Sequence, residues 1–209
     1  MRLVLLGAPG SGKGTQGGLI KSKHNVVHIS TGDILRENVK NHTQLGLEAK
    51  KFMDAGQLVP DEVINNMLAG KLDEIGDASF MLDGFPRTFE QAEFLDEYLS
   101  KNSRPLSAVF YFAVPDQEII ARLSKRLTCK SCGKIFNGEF DSCPACGGEM
   151  YKRDDDNENT IRNRLAIFHV NNKSLLEYYA GKNILHEIAA SGSPEEIFER
   201  VSVHLSHLS

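Results

Sequence analysis

Two short stretches of this 209-residue chain place reactive residue types at set spacings. The first, "GAPGSGKGT" at 7–15, follows an apolar run and precedes an amphipathic stretch. Glycines there let backbone N–H groups turn inward around phosphate oxygens, and a following helix aims its positive end at the same anion. Lys13 supplies a mobile cation for β- and γ-phosphates. Gly10, Ser11, Gly12, Lys13, Gly14 and Thr15 are therefore candidate residues for a nucleoside triphosphate. One position departs from the general pattern: Gly14 stands where Ser or Thr usually follows the lysine, and the hydroxyl comes one place later, at Thr15. A glycine-rich turn that merely caps a helix is the alternative, and the strand–loop–helix context weighs against it.

The second stretch, "CKSCGKIFNGEFDSCPACGG" at 129–148, holds all four cysteines. Cys129, Cys132, Cys143 and Cys146 form a C-x2-C-x10-C-x2-C array, each pair followed by a glycine that tolerates a tight turn. Four thiolates suit tetrahedral Zn2+, and a closed four-sulfur shell leaves no open position for catalysis. Iron is the main competitor for such a shell, and a disulfide pair or free thiols are the remaining readings. No ββα pattern or basic helix follows the cysteines, as a DNA-reading finger would require.

The elements that must position these residues read as an α/β chain. Short apolar runs at 2–7, 26–29, 80–84, 108–114 and 183–188 suit buried parallel strands, and segments 90–99, 116–123 and 160–179 have helical spacing between them. Strands alternating with helices imply crossover units and a mostly parallel sheet. Thr88-x-x-Gln91 and Ser193-Pro194-x-Glu196 both have capping-box form. Residues 30–59 read as short helices interrupted at Gly46 and Gly56. Residues 125–156, rich in Gly, Cys and Asp, have no helical period, and both segments read as insertions into the core. The composition is 41% hydrophobic and 25% charged, with a net charge of −4 that argues against a nucleic-acid partner. The opening "LVLL" is too short for a signal peptide or membrane span, so no membrane partner and a cytoplasmic location are expected.

"STGDILR" (30–36) and "LDGFPRTFEQ" (82–91) each put an arginine near a strand end, where open parallel sheets gather ligands. Singly, Ser30 or Thr31 could be an N-cap, Arg36 a solvated charge and Gln91 half of a capping box. With "GAPGSGKGTQ", "GQLVPD" and the paired arginines Arg122 and Arg126, these motifs resemble the adenylate kinase family of nucleoside monophosphate kinases across nearly the whole chain. The resemblance implies a three-layer P-loop kinase fold with a five-stranded parallel sheet. The core would be 1–29, 60–124 and 157–209, with 30–59 as a mobile flap over AMP and 125–156 as a metal-containing lid over ATP.

The same resemblance assigns roles. Thr31, Arg36, the backbone of Gln57, Leu58 and Val59, then Gly84, Phe85, Pro86, Arg87 and Gln91 would line the AMP site. Arg122 would pack near the ATP base and Arg126 on its phosphates, with Ile135, Phe136 and Ser193 as further ATP contacts; Phe136 could equally pack inside the lid. Arg153 and Arg164 would close on AMP and the transferring phosphates, Asp83 would hold the Mg2+ hydration shell, and Arg162 would be solvated. Lys13, Arg87, Arg126, Arg153 and Arg164 form the expected catalytic set. Arginine suits that task because its planar fork binds phosphate oxygens two at a time. Two departures stand out: Leu127 replaces a second arginine common beside Arg126, and the stretch between the cysteine pairs is short for a metal-bearing lid. The expected activity is reversible, Mg2+-dependent phosphoryl transfer, ATP plus AMP giving two ADP and so balancing adenine nucleotides, by a monomer with structural Zn2+ in its lid. A UMP/CMP-type kinase and a P-loop switch protein are the alternatives.

Overall fold

The computed structural model describes residues 1–208. Five parallel strands, β1 (Arg2–Gly7), β2 (Val27–Ser30), β3 (Phe80–Asp83), β4 (Ala108–Ala113) and β8 (Leu185–Ala189), form one sheet in the order β2-β3-β1-β4-β8. Residue alternation along each strand divides the core in two. Val4, Leu6, Phe80 and Leu82 face one side, where α4 (Asp61–Ile75), α5 (Phe89–Lys101) and α7 (Glu158–Gly181) supply Leu68, Leu72, Leu95 and Tyr179. Leu3, Leu5 and Met81 face the other, against Ile20 of α1 (Lys13–Lys23) and Phe198 and Val201 of α8 (Pro194–Leu205). The register sets Leu3 between Met81 and Ala108, so β1 is central and its carboxyl end opens between β3 and β4.

Segment 30–59 holds two helices, α2 (Thr31–Lys40) and α3 (Gln44–Asp54), capped by the Ser30 and Thr43 hydroxyls. Gly46 does not interrupt a helix, contrary to the sequence reading. It lies in the first turn of α3, where a β-carbon would stand 2.2 Å from the Asn38 carbonyl oxygen of α2. Glycine is there to let two backbones touch. Gly56, by contrast, does follow the end of α3, with φ 67°.

After α6 (Asp116–Ser124), segment 125–156 forms a three-stranded antiparallel sheet that no sequence pattern announced. Its strands are β5 (Arg126–Cys129), β6 (Ile135–Asn137) and β7 (Met150–Tyr151), in the order β6-β5-β7. The Ser193 capping box is closed on both sides. The Thr88 box is not: Thr88 Oγ1 accepts from the Gln91 backbone N–H, but the Gln91 side-chain Oε1 accepts from the Arg87 N–H instead of that of Thr88.

Candidate active site

A cleft of about 350 Å³ lies over the carboxyl ends of β1 and β3. Its floor is the loop from β1 into α1. Gly12, the residue before α1, has φ 96°, a left-handed backbone where a side chain would be strained. No side chain caps α1, so its first N–H groups remain available to an anion. Lys13 bends back, its Nζ donating to the carbonyls of Gly7 (2.7 Å) and Ala8 (2.8 Å). Burial pushes its pKa down to about 8; nearby Asp83 opposes that shift, and the positive Arg87 and Arg164 add to it.

Six arginines, from separate parts of the chain, line this cleft. Arg87, from the loop after β3, donates through Nε to the Gly84 carbonyl at 2.7 Å. Arg122 of α6 donates to the Ala190 carbonyl at 2.8 Å and pairs with Glu118. Arg126, buried at the start of β5, meets Asp156 with both Nε and Nη2, the first at 2.7 Å. Arg164 of α7 donates to Asp155 at 2.7 Å and lies 3.8 Å from Asp156. Arg153 donates to Thr128 at 3.1 Å and reaches within 4.0 Å of Asp33, the ion-pair partner of Arg36. Crowding of like charge is severe. Burial, with repulsion from Arg36 and Arg126, holds Arg153 down to about 10; burial, with Arg126 and Arg87, does the same to Arg164, and both stay protonated at neutral pH. Burial alone would raise Asp155, but Arg164 and Arg126 outweigh it and hold its carboxyl below the usual range.

Most sequence candidates line the cleft: Gly10, Gly12, Lys13, Gly14 and Thr15 on the floor; Thr31, Arg36 and Gln57 to Val59 from 30–59; Asp83, Gly84, Pro86, Arg87 and Gln91 after β3; Arg122, Arg126, Ile135, Arg153 and Arg164 on the far wall. Four side chains do not. Ser11 is buried beneath the loop, its Oγ facing Lys13. Phe85 is fully buried in the core cluster with Leu82. Ser193 spends its hydroxyl on capping α8. Phe136 sits on the strand face opposite Ile135 and Asn137, its ring 5.7 Å from that of Phe140. Leu127 is the register partner of Phe136 and shares that outer face, so the arginine it replaces would not have entered the cleft by this strand.

Sequence reasoning missed the carboxylates that hold the arginines apart. Asp155 and Asp156 directly follow Arg153 in "KRDDD", and that adjacency was the usable signal; Asp33 lies three residues before its partner Arg36 in "STGDILR". It also missed Asp61. That residue's carboxylate accepts from Thr88 Oγ1 (3.0 Å) and from Gln91 Nε2 (2.6 Å), tying the first turn of α4 to α5.

The four cysteine sulfurs lie within 4.8 Å of one another, Cys129 to Cys146 at 3.5 Å and Cys132 to Cys143 at 3.7 Å. A Zn–S bond of about 2.3 Å implies sulfur–sulfur edges of about 3.8 Å in a tetrahedron, so the set fits zinc. The Cys132 N–H donates to Cys129 Sγ at 3.4 Å and pulls that thiol down to about 6, favouring the ligating thiolate.

Residues 5–184 match the family described as Adenylate kinase. The adenylate kinase of Methanothrix thermoacetophila is 46% identical over 213 residues, covering 99% of both chains. That of Acidothermus cellulolyticus is 46% identical over 217 residues and the full length of both, and that of Archaeoglobus fulgidus 40% identical over 215 residues, 100% of this chain and 99% of its own. Matched over residues 5–184 and 40–46% identical to these relatives across their full length, this chain belongs to the adenylate kinase family.

Proposed function

We propose that this chain transfers the γ-phosphoryl group of ATP to AMP, giving two ADP. The observation that carries the reading is the convergence of Lys13 with Arg36, Arg87, Arg122, Arg126, Arg153 and Arg164 on one cleft. A nucleotide switch needs the phosphate loop alone; two polyanions brought face to face need cations on both sides. Phosphoryl transfer asks for positioning and charge stabilisation more than for covalent help. No strong base is required, since a phosphate monoester with second pKa near ~6 is already mostly ionised at neutral pH.

Lys13 and Arg126 hold the ATP phosphates, with Arg122 and Ile135 beside the base. Thr31, Arg36, the 57–59 backbone, Gly84 and Arg87 hold AMP, and Gln91 reads its base. Arg153 and Arg164 close on the phosphates in transit, excluding water. Asp83, which lines the cleft, would hold the water shell of the Mg2+ that accompanies ATP, and that ion would supply neutralising charge to the phosphates. Segment 30–59 acts as a flap and 125–156 as a lid on the core of 1–29, 60–124 and 157–209. Zinc in the four-cysteine tetrahedron is structural, held by Cys129, Cys132, Cys143 and Cys146. The protein works as a cytoplasmic monomer without nucleic-acid or membrane partners; no described helix is long and apolar enough to cross a membrane.

The test is ADP formation from ATP and Mg2+ with AMP, CMP, UMP or GMP as acceptor, beside a control lacking acceptor. Turnover with AMP above the others is expected, falling by ~10²-fold or more in Arg87→Ala and Lys13→Ala, as loss of a preorganised charge contact should give. Equal ADP without acceptor would overturn the kinase reading.

A further inference from the structure

We infer that Asp61, which does not line the cleft, sets the choice of adenine over 6-oxopurines by fixing which way the Gln91 amide points. The inference rests on the reading of Gln91 as the residue that meets the AMP base. Gln91 is 2% exposed and lines the cleft, so its amide has no bulk water to reorient in. Two fixed groups grip it from behind. The Asp61 carboxylate accepts from Nε2 at 2.6 Å, and the Arg87 backbone N–H donates to Oε1 at 2.7 Å. Both anchors have only one polarity: an ionised carboxylate cannot donate and an amide N–H cannot accept. Rotating the Gln91 amide by half a turn would set oxygen against carboxylate and NH2 against N–H, replacing two hydrogen bonds with two repulsions.

One N–H on Nε2 and one lone pair on Oε1 remain to be spent. An adenine edge offers a donor at N6 beside an acceptor at N1, the complement of that pair. Hypoxanthine and guanine offer an acceptor at O6 beside a donor at N1, the same pair reversed. A locked amide therefore satisfies adenine and leaves a 6-oxopurine with donor against donor and acceptor against acceptor. Buried polar groups left unpaired discriminate far more strongly than missing apolar contact. Thr88 completes the anchor, its hydroxyl donating to the second Asp61 oxygen at 3.0 Å while accepting from the Gln91 N–H at 3.1 Å. Asp61 is thus a positioning residue acting through Gln91.

The experiment compares AMP with IMP, which differs from AMP only in that edge, in the wild type, Asp61→Asn, Gln91→Leu and the double variant. An asparagine can donate as well as accept, so it tolerates either amide orientation. The ratio of kcat/KM for AMP over IMP is expected to fall at least tenfold in Asp61→Asn, with the KM for ATP unchanged within twofold. In the Gln91→Leu background the same substitution should change the ratio by less than twofold. Where turnover is too low, dissociation constants for AMP and IMP read the same ratio. If Asp61→Asn lowers activity or melting temperature with the AMP:IMP ratio intact, Asp61 serves only to start α4 and the inference falls. If Gln91→Leu itself keeps the full ratio, Gln91 does not read the base, and that part of the AMP site falls together with the inference.

Discussion

Residues 30–59 send Leu35, Ala49 and Val59 into the same apolar cluster as Leu68, Leu82 and Leu95. Among the described residues, segment 125–156 puts no side chain into any hydrophobic cluster of the molecule. Its buried residues are Arg126, Thr128, Cys129, Cys143 and Asp156. The flap coheres by borrowing the core, whereas the lid coheres through four sulfurs and a buried ion pair. A segment of this size cannot bury enough surface to fold alone, so it needs a staple. The difference teaches how one sheet can carry two insertions that draw their cohesion from different sources.

The comparison breaks most visibly if zinc is removed. Chelation should leave amide protection in α2, α3 and the parallel sheet intact while that of the lid collapses, and should lower the melting temperature. Unchanged melting and exchange would show that the cysteines do not clip the lid. Next in size is Asp156→Ala, which leaves Arg126 buried without its partner and should cost about 3–5 kcal/mol in urea unfolding. Its counterpart on the flap, Asp33→Ala, removes a carboxylate that is 64% exposed and should cost no more than ~1 kcal/mol. Equal costs would erase the contrast.

A smaller effect separates the two substrates by pH. The folded pKa of Lys13, about 8, lies below that of an unfolded lysine. Its burial therefore costs stability below pH 8, and that cost is relieved as pH rises from about 8 toward the unfolded value. Above pH 8 the free protein also loses the charge that meets ATP. ATP binding should weaken by up to ~10-fold between pH 8 and 9, with AMP binding changing far less; parallel weakening of both would place Lys13 elsewhere in the scheme. Smallest of all, Arg162→Ala should shift stability by less than ~0.5 kcal/mol and leave turnover unchanged, since Arg162 only pairs with Glu158 on the exposed face of α7.

What the sequence disclosed follows from locality. The five strands and the phosphate loop were readable because their signals lie within a few residues, and the cysteine spacing named its own chemistry. Helix α4 was equally legible, with Ile64, Leu68 and Leu72 at four-residue steps, yet was not singled out. The lid strands were not legible: two to four residues are too few to show alternation. Partnerships across the chain were hidden as well. Gln91 and Thr88 have the spacing of a capping box, but Gln91 Oε1 accepts from the Arg87 N–H, and a carboxylate thirty residues away takes its Nε2. Phe136 lies between the cysteine pairs, and only the pleat of β6 shows that it faces outward.

The contact between α2 and α3 bears on heredity as well as on shape. Gly46 is not among the residues lining the cleft, yet any mutation of its codon that installs a side chain drives a β-carbon into the backbone of Asn38. Leu47, next to it and 57% exposed, is free to drift. Among descendants of this gene an unchanging glycine beside a variable neighbour is the expected record, and it would mark a joint between two helices rather than a place where substrate binds.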